Sequence, residues 1–275
     1  MYYYVTMRYK AIFCDFDGTL YREDHTISPT NKRAIKEFTK AGGKFVVSTG
    51  RLFSAIYPKL EELQLDGDVI VYQGGGIFDI KSKKQIFGKY FDKDDTIAIL
   101  KYVESLGEDY TPLVYLNDTP YCQEYNEAVG IFIGICAVGY EVTHMPLSQF
   151  VEQSEYLPIK VVILADDEHC KKFVQEGREK FPHLAIMRSH QLVVEAITKG
   201  INKGEAIKWL CARYGIDVKD AIAMGDSEND IEMIKTAGLG IAVGNAMEPV
   251  KLSADFVADT NDNDAVAQVI YKFCL

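Results

Sequence analysis

The chain has 275 residues, 48% of them apolar, which is enough for two ordinary domains or one large one with a buried core. Lys and Arg total 30 against 40 Asp and Glu, so the formal net charge is −10. This balance provides no global positive field for nucleic acid or anionic lipid, and neither is predicted as a partner. No apolar run reaches the roughly 20 residues that cross a bilayer, so no membrane anchor is predicted.

The N-terminal residues and the cysteines indicate a cytoplasmic protein. Residues 1–8 lack a basic region followed by an apolar stretch and a small-residue cleavage site, so they do not resemble a signal peptide. The cysteines form no Cys-x-x-Cys pair and no obvious disulfide framework, which favours reduced thiols at Cys14, Cys122, Cys136, Cys170, Cys211 and Cys274.

The first third of the chain alternates strand and helix patterns. Strands are predicted over 9–14, 44–48 and 69–72, and amphipathic helices over 29–41 and 52–63. Gly42 and Gly43 end the first helix before the next strand. Helices interleaved with apolar strands predict a parallel sheet wound by right-handed crossovers, and ligands bind such sheets at the carboxyl ends of the strands.

The remaining chain predicts the second half of this sheet and an inserted domain. After helix 203–214, strands at 221–224, 239–242 and 256–258 alternate with helices at 228–236, 247–252 and 264–273. Between the halves, the pattern changes to hairpins near 77–88 and 113–124, a strand at 159–164, a helix at 167–181 and strands at 184–189 and 192–196. We therefore predict an α/β protein: a doubly wound, Rossmann-like parallel-sheet core of residues 1–80 and 190–275, with an inserted α/β domain of residues 81–189.

Two carboxylates follow the first predicted strand, in the segment Asp15-Phe16-Asp17-Gly18-Thr19-Leu20. Alternation places Asp15 and Asp17 on the same side of an extended backbone, and Gly18 permits a sharp turn after them. Two acids this close are tolerable when a hard cation lies between them or when one holds a proton, and both conditions suit phosphoryl transfer. A solvated turn or a helix cap is the alternative for an isolated pair.

Thr49-Gly50-Arg51 follows the second predicted strand and precedes a helix. A hydroxyl and backbone N–H groups at a helix start bind phosphoryl oxygens, although plain helix capping is the commoner use of such residues.

Lys203 and Asp226 begin the second set of candidates. Lys203 opens a helix, where the helix dipole disfavours a cation unless an anion lies nearby; a solvated lysine is the alternative. Asp226 follows the strand at 221–224 in an acidic loop that lacks the EF-hand pattern. It could cap a helix or bind Ca²⁺, or it could join the first pair of acids around Mg²⁺, whose octahedral shell suits oxygen ligands and waters.

These four segments, in this order, resemble the four signatures of the haloacid dehalogenase superfamily of phosphohydrolases. The resemblance is closest to the Cof-type subfamily, which carries an α/β cap domain between its second and third motifs. Segments 240–246, 254–257 and 260–266 also resemble that subfamily. The resemblance covers both core halves, whereas the insert matches in position and general pattern only.

The resemblance implies a role for each motif residue. Asp15 would attack phosphorus and form an aspartyl-phosphate, and Asp17 would act as general acid and then general base. Mg²⁺ would be held by the Asp15 carboxylate, the Asp17 backbone carbonyl and Asp226. Asp230 would support these ligands or Lys203 from behind. Thr49 and Lys203 would also be catalytic, Thr49 as the hydroxyl that binds the phosphoryl group and Lys203 as the cation that pairs with that group and with Asp15. Substrate would be bound by Thr49, Gly50, Arg51, Lys203 and Asn229.

The function implied is a Mg²⁺-dependent phosphatase for a small phosphorylated metabolite, such as a sugar phosphate, pyridoxal phosphate or flavin mononucleotide. The alternatives are a phosphomutase of related fold and a noncatalytic phosphometabolite sensor, although a sensor has no need of both Asp15 and Asp17. No feature of the sequence indicates an oligomeric state.

Specificity is expected to depend on the insert and on two departures from the subfamily. The subfamily commonly has Asn-Gly-Ala where this chain has Gln73-Gly74-Gly75, and a proline where it has Thr198. Possible specificity residues in the insert are Tyr115, Tyr121, Glu124, Tyr125, Arg188 and His190.

Overall fold

The computed structural model describes residues 7–136 and 138–275, and the chain divides into two units. The core unit comprises residues 7–51, Ile56–Gly88 and Asn202–Leu275, and the inserted unit comprises Leu52–Ala55 and Lys89–Ile201. The expectation about a signal peptide concerns residues that lie mostly outside this description.

The core unit contains an eight-stranded sheet. Its strands are β1 (Ala11–Asp15), β2 (Lys44–Ser48), β3 (Asp68–Val71), β4 (Gly76–Asp79), β5 (Lys84–Gly88), β12 (Ala221–Gly225), β13 (Leu239–Ala242) and β14 (Phe256–Val257), arranged β14-β13-β12-β1-β2-β3-β4-β5. The first six strands of this order run parallel, and β4 and β5 are antiparallel additions at one edge. The predicted doubly wound parallel core is therefore confirmed.

The core helices are α1 (Pro29–Lys40), α2 (Phe53–Glu62), α7 (Lys203–Tyr214), α8 (Ile231–Thr236), α9 (Glu248–Ser253) and α10 (Ala265–Phe273), with α2 belonging to this unit from Ile56 onward. Local chemistry fixes their ends. The Ser28 hydroxyl accepts from Asn31 N–H at the start of α1, and Pro29 occupies the first turn. Asn202 caps α7 in the same way, and Gly215, in the left-handed conformation, ends it.

Apolar packing between α7 and the sheet anchors the site region of the core. Phe13, Val46 and Ile70 on neighbouring strands form one buried cluster with Ile207 and Leu210 of α7. This cluster fixes the helix whose first residue is Lys203, so the lysine is held by a rigid element.

The inserted unit contains a six-stranded sheet with helices packed on it. The strands are β6 (Thr111–Leu116), β7 (Thr119–Cys122), β8 (Glu141–Val142), β9 (Pro158–Leu164), β10 (Leu184–His190) and β11 (Val193–Thr198), arranged β10-β11-β9-β6-β7-β8. The helices are α3 (Lys93–Ser105), α4 (Glu127–Cys136), α5 (Leu147–Gln153) and α6 (Asp167–Lys180). A buried cluster that includes Leu100, Val114, Val161, Phe173 and Val194 joins strands and helices.

The boundaries of the units differ from the predicted 81 and 189. Strand β5 pairs with β4, so the core extends to Gly88. Strand β11 pairs with β9, so the inserted unit extends to Ile201. Strand pairing, which periodicity does not specify, therefore moves both boundaries towards the C-terminus.

The described residues bear on two expectations from the sequence, the absence of a membrane-spanning segment and the reduced state of the cysteines. No helix among them is long and apolar enough to cross a membrane. Five cysteines whose side chains are described are free and buried: Cys14, Cys122, Cys170, Cys211 and Cys274.

Candidate active site

The carboxyl ends of three adjacent parallel strands bring the predicted motifs together. Strand β1 lies between β12 and β2, and Asp15 is level with Ser48 in the register of β1 and β2. Asp15 ends β1, Thr49 follows β2, and Asp226 follows β12. The sheet therefore places residues from three distant segments at one edge.

Lys203 is the centre of a buried ion network. Its side chain is 0% exposed, and its Nζ donates to Asp15 Oδ1 at 2.5 Å and to Asp230 Oδ1 at 2.7 Å. Burial alone disfavours the ammonium, but the attraction of Asp15 and Asp230 outweighs it, so the pKa of Lys203 is raised. The lysine stays charged, and the unfavourable position at the start of α7 is compensated by two anions.

Asp15 is buried, and burial raises the pKa of its carboxyl well above the usual range, with repulsion from Asp230 adding to this effect. Lys203 acts in the opposite direction. A carboxylate this close to other acids needs positive charge beside it to remain ionised.

Asp226 and Asp230 organise the loop after β12. Asp226 accepts from Thr19 Oγ1 at 2.9 Å and from Ser227 Oγ at 2.8 Å. Asp230 Oδ2 accepts from the backbone N–H groups of Asp226 at 3.0 Å and Ser227 at 3.1 Å. Burial raises the pKa of Asp226 even though these hydroxyls lower it. Asp230 thus supports both Lys203 and the Asp226 loop.

The acidic cluster fits a hard divalent cation. Asp15, Asp226 and Asp230 each offer a carboxylate oxygen within 4.8 Å of the other two. Both oxygens of Asp230 accept from N–H donors, both oxygens of Asp226 accept from hydroxyls, and Asp15 Oδ1 accepts from Lys203. A ligand set made only of carboxylate oxygen suits Mg²⁺ better than softer metals.

Asp17 and Arg51 form a bidentate pair. Arg51 Nε donates to Asp17 Oδ2 at 2.8 Å, and Nη2 donates to Oδ1 at 2.7 Å. The guanidinium also lies over the rings of Phe16 and Tyr21, at 5.1 and 5.8 Å from their centroids. The sequence predicts a phosphate contact for Arg51, whereas in this structure its fork holds the Asp17 carboxylate.

Thr49 and Gly50 form a tight loop after β2. Thr49 is 1% exposed, and its hydroxyl accepts from the Arg51 N–H at 3.1 Å, which is the local bond expected where a helix approaches. The sequence singles out Gln73 as a departure from the subfamily, but its contact with Gly50 was not predicted. A Cβ on Gly50 would lie 2.3 Å from Nε2 of Gln73, so a side chain at this position would displace that amide.

Gln73 lies in a loop with an unusual backbone. Tyr72, Gln73 and Gly74 have φ values of 54°, 58° and 96°, so three successive residues are left-handed. Asn229, a predicted substrate-binding residue, donates from Nδ2 to Gln73 Oε1 at 2.9 Å. The structure therefore places Asn229 against Gln73, and the positive φ values were not apparent from residue types.

The candidate specificity residues of the inserted unit do not form one group. Tyr121 packs in the cluster beneath the helices, next to Val114, so Tyr115 lies on the other face of the sheet. Glu124 and Tyr125 are exposed, and Arg188 pairs with Asp167. The His190 side chain lies outside the described residues.

A buried ion pair in the inserted unit was missed by sequence reasoning. Lys160 Nζ lies 3.3 Å from Glu195 Oε2, and both residues are less than a tenth exposed. The ammonium is also 4.8 Å from the ring centroid of Tyr115. Each is the single charged residue in a largely apolar strand, and that signal was present in the sequence.

The chain is similar to known proteins over nearly all of its length. The model of the haloacid dehalogenase-like hydrolase family matches residues 12–270. A putative phosphatase from Haemophilus influenzae is 31% identical over 96% of this chain and 98% of its own length. The 5-amino-6-(5-phospho-D-ribitylamino)uracil phosphatase of Bacillus subtilis is 30% identical over 97% of this chain and 96% of its own. A solved haloacid dehalogenase-like hydrolase from Bacteroides thetaiotaomicron superposes with a TM-score of 0.86 at 27% identity, covering 96% of this chain and 99% of that one.

The chain belongs to the haloacid dehalogenase-like hydrolase family. The predicted membership in its Cof-type phosphatases is confirmed, and the chain is a phosphoric monoester hydrolase.

Proposed function

We propose that the protein hydrolyses phosphate monoesters of small metabolites with Mg²⁺ as cofactor, through an aspartyl-phosphate on Asp15. The observation that carries this proposal is the Asp15 carboxylate at the end of β1, bonded to a fully buried Lys203 and facing Asp226. In this proposal Asp15 is the nucleophile, Lys203 is the positive charge and Asp226 is a second oxygen ligand, and all three lie together at the carboxyl ends of the strands.

In the first step, the Asp15 carboxylate attacks phosphorus and the bond between phosphorus and the leaving oxygen breaks. Asp17, protonated at that stage, gives its proton to the leaving oxygen, so an alcohol departs. The two bonds from Arg51 fix the orientation of the Asp17 carboxyl.

In the second step, Asp17 takes a proton from water, and the resulting hydroxide attacks phosphorus and releases Asp15 and inorganic phosphate. Lys203, the Thr49 hydroxyl and N–H groups beside Gly50 would stabilise the negative charge on the phosphoryl oxygens in both steps. Mg²⁺ held by Asp15, Asp226 and the Asp17 backbone carbonyl would neutralise further phosphoryl charge.

The names of relatives support the proposed substrate class. One relative is named for a phosphorylated ribitylamino compound. We infer that the present substrate is likewise a small phosphorylated metabolite, in the class of sugar phosphates, pyridoxal phosphate or flavin mononucleotide.

The test is phosphate release from a panel of such esters, with Mg²⁺ and with a chelator, by wild type and Asp15→Asn. Asp15→Asn should lose at least about a thousandfold in kcat, because the isosteric amide is not a nucleophile. Asp220→Asn, at a carboxylate that is 35% exposed and paired with Lys10, is the matched control and should keep wild-type activity. Phosphate release that continues at the wild-type rate in the presence of the chelator, or that persists in Asp15→Asn, would overturn the proposal. Phosphate release that requires a bisphosphate activator would indicate a phosphomutase.

A further inference from the structure

The loop containing Gln73 touches three segments that supply the site. Its backbone binds the segment after β2, because Gln73 N–H donates to Thr49 O at 3.1 Å and Tyr72 N–H donates to Arg51 O at 3.2 Å. A Cβ on Gly74 would lie 2.3 Å from Asn202 O and 2.9 Å from Lys203 N, so the loop packs directly on the start of α7. The third segment is the turn that carries Asn229.

This loop is held in a costly conformation. Tyr72 and Gln73 are not glycine, and each has φ near +55°. Residues with side chains rarely adopt this region, and strain of this kind concentrates where function requires a fixed geometry. In this conformation the Gln73 carboxamide lies against Gly50, where its Nε2 occupies the space that a Cβ would need.

The Gln73 carboxamide is fixed at one end and available at the other. Its Oε1 accepts from Asn229 at 2.9 Å. Its Nε2 lies over the Gly50 Cα and has no hydrogen-bond partner among residues 7–136 and 138–275. Gln73 is partly exposed and its bond to Asn229 is exposed, so the carboxamide is open to a bound ligand.

We propose that Gln73 is a substrate-binding residue: its Nε2–H₂ group donates to a phosphoryl oxygen of the bound ester, and Asn229 positions the amide. The assignment rests on the proposed phosphatase function. It gives Asn229 a positioning role in place of the direct substrate contact that the sequence predicts.

Two variants of Gln73 separate binding from folding. Gln73→Glu keeps the shape and the acceptor for Asn229 but replaces the donor with a negative charge. Gln73→Ala removes the donor without adding charge. Hydrolysis of p-nitrophenyl phosphate and its inhibition by inorganic phosphate are measured with saturating Mg²⁺. Since a hydrogen bond to a charged group is worth about a factor of ten or more in affinity, both KM and the phosphate inhibition constant should rise about tenfold in Gln73→Ala and further in Gln73→Glu. The value of kcat should stay within about threefold.

A matched control tests the backbone effect. Gln64 is an exposed glutamine of the core unit with φ of 56°, and its Oε1 accepts only from the exposed Lys36. Gln64→Ala should leave both constants unchanged. Asn229→Ala should raise them in the wild-type background and have no further effect in Gln73→Ala, because it acts through Gln73.

The outcomes distinguish the two proposals. If wild type releases phosphate, Asp15→Asn does not, and both Gln73 variants keep KM and the inhibition constant within about twofold of wild type, the assignment of Gln73 is overturned. A rise in KM without a rise in the inhibition constant also overturns it, since the contact would not be to phosphate. If wild type releases no phosphate from any ester, it is the proposed function that fails.

Discussion

Replacing Lys203 with methionine tests the buried ion network most directly. The change removes a fully buried ammonium that is bonded to two carboxylates, and leaves Asp15 and Asp230 without positive charge beside them. Removing one partner of a buried ion pair costs about 3–5 kcal/mol. At roughly 2–4 °C per kcal/mol for a unit of this size, the melting temperature of the core should fall by roughly 6–20 °C.

The same helix offers a matched control. Lys208 also makes a 2.7 Å ion pair, with Glu205, but its side chain is 56% exposed. Lys208→Met should therefore cost less than about 1 kcal/mol. A common helix and a common substitution leave burial as the main difference between the two variants.

The assay uses the single tryptophan of the chain. Trp209 lies on α7 and packs against Phe87 with ring centroids 5.1 Å apart, so its fluorescence reports on the core unit. Urea unfolding is followed at neutral pH with a chelator present, so that no divalent cation substitutes for the ammonium. An unfolding free energy of Lys203→Met within about 1 kcal/mol of wild type would refute the reasoning, because the carboxylates would then be stable without the lysine.

A second substitution checks the cause. Adding Asp230→Asn to Lys203→Met removes one of the two carboxylate charges, those of Asp15 and Asp230, that the lysine no longer neutralises. The double variant should therefore regain part of the lost stability. If the double variant is less stable than Lys203→Met by the full cost of Asp230→Asn alone, charge repulsion is not the cause.

Three further changes have defined outcomes in the same unfolding assay or by circular dichroism. Gly74→Ala should cost more than Gly42→Ala, because both glycines have φ near +97° but only the first would meet backbone at 2.3 Å; equal losses would show that the loop moves freely. Burial and a buried carboxylate partner raise the pKa of Tyr214, so its proton is retained in the folded state while the unfolded chain ionises. Wild type should therefore lose its stability advantage over Tyr214→Phe by up to about 1.4 kcal/mol per pH unit above about pH 10, and a constant difference would contradict this. Lys160→Met should destabilise the inserted unit by about 3–5 kcal/mol, and adding Glu195→Leu should recover most of it, as circular dichroism would show.

The core could be predicted largely from local signals. Strand Lys44–Ser48, helix Lys203–Tyr214 and strand Leu239–Ala242 lie at the predicted residues, because apolar periodicity and capping residues coincide there. The meeting of Asp15 with Asp226 agrees with the rule that ligands bind at the carboxyl ends of parallel strands, whereas the pairing of Asp15 with Lys203 was implied only by the resemblance to the family.

The inserted unit was harder to predict. Helix α4 (Glu127–Cys136) was missed because its run of β-branched and apolar residues favours a strand locally, and packing overrides that preference. Helix α3 was also missed, although its buried residues Thr96, Ile99, Leu100 and Val103 have helical spacing, so this signal was present in the sequence.

Side-chain pairing in the site was beyond sequence reasoning for a different reason. The bond between Arg51 and Asp17, and that between Asn229 and Gln73, depend on rotamers and on left-handed backbone at Gln73. Residue type alone does not specify either, because glutamine has no preference for positive φ.

The order of strands in the core sheet has a consequence for biosynthesis. Strand β1 pairs with β12, and in that pairing Ala11 is level with Ala221, so β1 cannot be fully paired until β12 has been synthesised. Asp15 likewise has no Lys203 partner until a residue 188 positions later has been added. Until then, one edge of the apolar β1 has no partner, and unpaired strand edges recruit other chains. The insert meanwhile has all its own strands and can fold first, as domains generally do during translation. If translation stops after Ile201, the product would thus have a folded insert, an unpaired edge on β1 that can associate with other chains, and no enzymatic activity.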